Sequence, residues 1–232
     1  MLLSPASFVA WVIIFLFLGM FMFYQARDLF GPLDEKADMP YLYQVGEFFM
    51  LSAVTATAWY LLCLRGMTWP SVAAITVSAV LVLAAYLSLD INKAKRSLRE
   101  HLFITVGWSL FAGWIIATMI ASVASGFSWL QPTGLMFIGQ EAWTAIVLLV
   151  AVLIYFLALF IRNDYIFAAV GVWAIPVVIL QSLGPDIVEQ PQSTIAAAAV
   201  AIVLVMAIVA RGFVAWRRRK PRTPRVKDLG KG

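Results

Sequence analysis

Long uninterrupted apolar runs, separated by short clusters of charged, proline and glycine residues, dominate the chain. They fall at about 8–25, 47–64, 71–89, 101–124, 141–161, 165–181 and 194–215. Each is long enough, at about 1.5 Å of helical rise per residue, to cross most or all of a bilayer core of about 30 Å. The pattern predicts an all-α, polytopic membrane helix bundle of about seven transmembrane helices. Residues 1–216 form the bundle, and 217–232 form a basic tail. The first run lacks both a basic leader and a small-x-small cleavage site before Tyr24-Gln25, so it is expected to stay as a helix.

The fourth run is the most distinctive. It carries no charge beyond His101, and it buries Trp108 and Trp114 among Ser109, Gly113, Ala117, Thr118 and Ser122. Tryptophan normally gathers at the membrane interface, where its N–H finds a partner, so two at depth require partners inside the protein. On an ideal helix Trp114, Thr118 and Ser122 share a stripe, while Trp108 is rotated from Trp114 by about 240°. The two tryptophans therefore cannot both face one small pocket.

Several connections have readable chemistry. Arg65-Gly66-Met67-Thr68-Trp69-Pro70 combines a helix stop, an interfacial tryptophan and a proline suited to the first turn of a helix. Arg162-Asn163-Asp164 is a tight polar turn, with Arg162 and Asp164 expected to form a solvated pair of little energetic weight. Pro176 is expected to kink the sixth run. Thr55 and Thr57 are expected to bond back to their own helix. The third run, rich in Val, Ala and Ser, shows no strong face, and the alanines from Ala196 to Ala201 suit close helix packing. His101, beside a basic loop, reads as an interfacial group rather than a haem ligand.

Composition narrows the function classes. The chain is 63% hydrophobic and 12% charged, with a mean hydropathy of +0.92, which leaves no room for a soluble domain. Nucleic acid is not the partner implied by the net charge of +5, because about half of the basic residues lie after Arg211 and suit anionic lipid. The lone Cys63 reads as a small packing residue. Glu47, Asp90, Glu141, Arg162 and Arg211 all fall near span ends, which disfavours an ion pump, and no span offers a lysine for a retinal Schiff base. No carboxylate pair, metal-ligand spacing or phosphate loop points to an enzyme. The deep groups are aromatic and hydroxylated, a set that suits an apolar planar ligand as well as it suits helix packing.

Gly113-Trp114-Ile115-Ile116-Ala117-Thr118-Met119-Ile120-Ala121-Ser122 resembles a signature of the tryptophan-rich sensory protein and translocator protein (peripheral benzodiazepine receptor) family, with Ser122 where the family carries Asn. Trp11 with Phe23-Tyr24-Gln25, Trp59 with Ala56 in place of a second Asn, and Arg162-Asn163-Asp164-Tyr165 with Val172-Trp173-Ala174 extend the resemblance. The first four helices look like the second to fifth of that five-helix family, in a longer form. The resemblance implies a ligand site containing Trp59, Trp114, Thr118, Ser122 and Trp173, with a porphyrin or another hydrophobic, lipid-like molecule as the ligand. The competing reading is a structural or assembly subunit of a larger membrane complex; the expected protein partners are a second copy, which fits the ligand-binding reading, or other membrane subunits, which fit the competing one.

With seven spans, about fifteen of the 17 Lys and Arg residues fall on one side, and the other side has Arg65. The positive-inside rule then puts the N-terminus outside and the tail in the cytoplasm. A reporter fused after Gly232 is expected to be cytoplasmic and one fused at Met1 external, and two reporters on the same side would refute an odd number of spans.

Overall fold

The computed structural model describes residues 5–26, 41–94, 96–128, 130, 139–175 and 191–219. Among these all regular structure is helical: α1 Pro5–Ala26, α2 Leu42–Leu64, α3 Thr68–Ser88, α4 Leu98–Glu100, a π-helical segment His101–Val106, α5 Gly107–Ser128, α6 Gln140–Arg162, α7 Tyr165–Ala174 and α8 Pro191–Arg219. Among the described residues six stretches are long and apolar enough to cross a membrane, with α4, the π-helical segment and α5 forming one of them over Leu98–Phe127. The sixth run is described as the short α7. Its continuation, including Pro176, lies outside the described residues.

The central element is α5, which packs against α1, α3, α6 and α7. Small residues make this possible. A Cβ on Gly107 would lie 3.2 Å from the Phe17 carbonyl oxygen of α1, and one on Gly113 would lie 3.1 Å from Val170 of α7. Glycine at these two positions lets helix backbones approach closely where hydrophobicity alone cannot drive association. Outer faces of α1, α2 and α8, including Phe15, Phe23, Val54, Leu61, Met206 and Val209, are exposed apolar surface suited to lipid.

Local signals explain the helix ends. Gly66, at φ +69°, closes α2 with Gly66 N–H donating to the Cys63 carbonyl at 3.0 Å and Met67 N–H to the Leu62 carbonyl at 3.0 Å. This is a Schellman closure, and Pro70 then sits in the first turn of α3 as expected. The fourth span starts earlier than its charge-free run. Ser97 accepts from Glu100 N–H at 3.3 Å and Glu100 Oε2 accepts from Ser97 N–H at 2.9 Å, a capping box hidden in the basic loop.

Four expectations are revised or sharpened. The helix that includes Trp114 continues to Ser128, beyond the end of the apolar run at 124. The third span does have a buried face, comprising Ser71, Val72, Ile75, Ser78, Ala79, Val82, Ala85 and Tyr86 at helical spacing. Hydropathy hid it because both sides are apolar and the faces differ in side-chain size. Ala198 and Ala199 of α8 are exposed, so that part of the alanine run is not used for close packing. Thr55 and Thr57 do bond back, to the carbonyls of Leu51 at 2.9 Å and Ala53 at 2.8 Å.

The largest correction concerns the turn between α6 and α7. Asp164 is fully buried. Its Oδ1 accepts from the Ile166 and Phe167 N–H groups at 3.1 and 2.9 Å, capping α7. Its Oδ2 accepts from Tyr86 Oη and Ser109 Oγ, both at 2.6 Å. Arg162 donates to the Ile91 carbonyl at 3.3 Å, and its guanidinium lies 5.2 Å from the centre of the Tyr86 ring. Asn163, left-handed at φ 53°, turns the chain so that the carboxylate enters the bundle. Solvation was the wrong expectation because hydroxyl donors from α3 and α5, far apart in sequence, replace water.

Removing this acceptor strands two hydroxyls and an uncapped helix. Asp164→Ala is expected to destabilise the bundle by about 3 kcal/mol or more, whereas Asp90→Asn, at an exposed left-handed position that Asn also tolerates, should change stability by less than about 1 kcal/mol. Thermal unfolding of the two variants in detergent measures the contrast.

Candidate functional site

Position along α7 is set by a glycine and a tyrosine. A Cβ on Gly171 would lie 2.5 Å from Tyr155 Cγ, so the ring of α6 lies directly on the α7 backbone. Tyr155 is itself fully buried and donates its hydroxyl to the Gly113 carbonyl at 3.0 Å. One side chain thus ties α6 to both α5 and α7. The next residue on α5 is Trp114, and two residues beyond Gly171 is Trp173, so this lock brings the two indoles together.

Trp114 and Trp173 have ring centroids 5.7 Å apart at an interplanar angle of 37°. Trp11 of α1 meets Trp114 edge-on at 6.2 Å and 81°, and it stacks on Phe15 at 5.3 Å. Three helices therefore converge on the Trp114 ring, which lies five residues along α5 from Ser109, a partner of Asp164. Trp114 is buried, and its Nε1 has no hydrogen-bond partner among the described residues. An indole donor left unpaired in a low-dielectric interior costs about 1–3 kcal/mol.

The other residues expected at the site are placed differently. Thr118 donates its hydroxyl back to the Trp114 carbonyl at 2.9 Å. Trp59 Nε1 donates to Ser122 Oγ at 3.1 Å, which joins α2 to α5. Trp114 and Ser122 are two turns apart, or about 12 Å along the axis. The five residues thus resolve into a Trp114–Trp173 ring contact, a Trp59–Ser122 hydrogen bond further along, and Thr118 between them on the same helix.

Trp108 sits elsewhere, as its angular offset requires. It is fully buried, with Phe21, Phe49 and Phe111 edge-on to it at 5.7, 6.0 and 6.1 Å. His101 is exposed at the start of the π-helical segment. Among the described residues no group of three His, Cys, Asp or Glu side chains is placed to hold a metal ion. The sequence assigned Trp11 no part in the site, because its contact with Trp114 depends on the level at which α1 packs against α5.

A model of the TSPO-like protein family matches residues 1–210. Neither a curated protein nor a solved structure matches.

The Tyr155 lock predicts coupled substitutions. Gly171→Ala is expected to lower stability by about 1–3 kcal/mol through overpacking, and the loss should shrink when Tyr155 is also replaced by Leu. A thermal-unfolding double-mutant cycle measures the coupling, and fully additive losses would show that the ring contact does not set the helix spacing.

Proposed function

The chain belongs to the TSPO-like protein family, and from that premise we propose that it is a non-catalytic integral membrane protein binding an apolar, planar ligand at the Trp114 cluster. The observation that carries this reading is the buried, unpartnered Trp114 indole among rings from α1 and α7. Aromatic faces offer stacking area to a flat molecule, and the free N–H offers one hydrogen bond to an acceptor at its edge. A porphyrin, with its broad ring and peripheral carboxylates, has both features.

Trp114 and Trp173 would contact the ligand face, with Trp11 closing one edge. Thr118, Ser122 and Trp59 would line the continuation of the stripe along α5. Trp108 keeps a packing role in this reading. The basic end, which includes Arg96, Arg162 and Arg211, would face the cytoplasm, and the tail would touch anionic lipid.

A second reading has a specific observation behind it. The exposed apolar faces of α2 and α8 would serve a second copy or another membrane subunit as well as lipid. Firm co-purification with other integral subunits would favour that structural role.

Porphyrin titration, followed by quenching of tryptophan emission, tests the binding site. Trp114→Ala should weaken binding by about 1–3 kcal/mol, whereas Trp108→Ala should mainly lower stability. Equal affinity in wild type and Trp114→Ala, or no saturable quenching, would remove the ligand assignment.

A further inference from the structure

At the basic end of the bundle, away from the Trp114–Trp173 contact, two polar side chains are buried without partners. Gln25, in the last turn of α1, is 8% exposed, and among the described residues neither its amide nitrogen nor its oxygen has a hydrogen-bond partner. Trp108, at the start of α5, is fully buried with its Nε1 equally unpartnered.

These two groups share one neighbourhood. Phe21, one turn before Gln25 on the same face of α1, is edge-on to the Trp108 ring at 5.7 Å. Gly107 faces Phe17 across the same pair of helices. The helices run antiparallel and helical side chains lean toward their own N-terminus, so Gln25 and Trp108 lean toward each other along the axis. The adjoining wall is the π-helical segment His101–Val106, where Tyr24 stacks on Phe103 at 5.5 Å. Arg96 reaches Thr105 Oγ1 of the same segment at 3.5 Å, and its Nε is also without a partner among the described residues.

Packing alone does not account for this arrangement. Leu or Met at position 25 would fill the same volume without unmet hydrogen bonds, an aromatic hydrocarbon at 108 would carry no donor, and at membrane depth such groups are rarely left unpaired. π-helical turns, moreover, are found frequently at functional sites. The unmet atoms define the missing partner. Gln25 needs both a donor and an acceptor, while Trp108 and Arg96 each need an acceptor. A hydroxyl beside ester carbonyls satisfies that set, and the last turn of a membrane-spanning helix lies at the depth of a lipid's glycerol backbone. We propose that this end of the bundle binds the glycerol-ester head of a lipid, a hydroxyl pairing with the Gln25 amide and a carbonyl accepting from Trp108 Nε1, with the acyl chain along the aromatic wall. This site shares no residue with the Trp114 cluster, so either assignment can fail alone.

The test follows thermal unfolding of delipidated full-length protein in detergent as monoolein is added. The wild-type midpoint should rise saturably. Methyl oleate, which has the ester but no hydroxyl for Gln25, should need a concentration higher by about tenfold. Gln25→Leu and Trp108→Phe should each weaken the monoolein response by about tenfold, while the unliganded midpoint of Gln25→Leu stays level or rises. Trp114→Ala should respond like wild type. A wild-type midpoint unmoved by monoolein, or a response that survives both Gln25→Leu and Trp108→Phe, would overturn the proposal.

Discussion

A buried carboxylate holds the central helices in register. In a membrane interior a polar group must find its partners within the protein, and Asp164 does so with four donors from three helices. Because Tyr86, Ser109 and Asp164 lie at one end of α3, α5 and α7, this node fixes the axial position of all three together. Its bonds are directional, unlike the apolar contacts around it. Sliding any one helix by a turn would leave buried hydroxyls and a carboxylate unpaired, a cost that apolar repacking does not offset.

From that fixed end the packing proceeds turn by turn. Gly113 admits α7, Gly171 admits the Tyr155 ring, and the Tyr155 hydroxyl returns to the Gly113 carbonyl. The Trp114–Trp173 contact comes next along the same two helices. Small residues and one tyrosine therefore decide where two large rings meet. The aromatic cluster is a consequence of helix spacing, and it leaves the Trp114 N–H without a partner among the described residues.

The bundle also has a gradient of burial. α5 is enclosed, whereas α2 and α8 present broad apolar faces outward while their inner faces pack along α3 and against α6 and α7 respectively. Trp59 to Ser122 and Ser78 Oγ to the Ser52 carbonyl, at 3.1 Å each, hold α2 to the centre. Arg211 of α8 donates to Asn163 and lies 5.0 Å from the centre of the Phe160 ring.

Length and apolarity of the runs were enough to establish an all-helical membrane protein, to locate most helices within a few residues and to read the Gly66–Pro70 connection. They also separated Trp108 from Trp114, because angular offset on one helix is a local property. Local patterns were less informative where both sides of a helix are apolar. The buried face of α3 and the outward alanines of α8 differ from their opposite faces in size and neighbours, and hydropathy registers neither. Asp164 looked like a solvated turn residue because every clue near it in sequence was polar. Its partners Tyr86 and Ser109 lie 78 and 55 residues away. The tertiary structure alone decided that a carboxylate would be buried, that Trp11 would join Trp114 and Trp173, and that Gln25 would be enclosed, since each outcome depends on which distant side chain fills the space opposite.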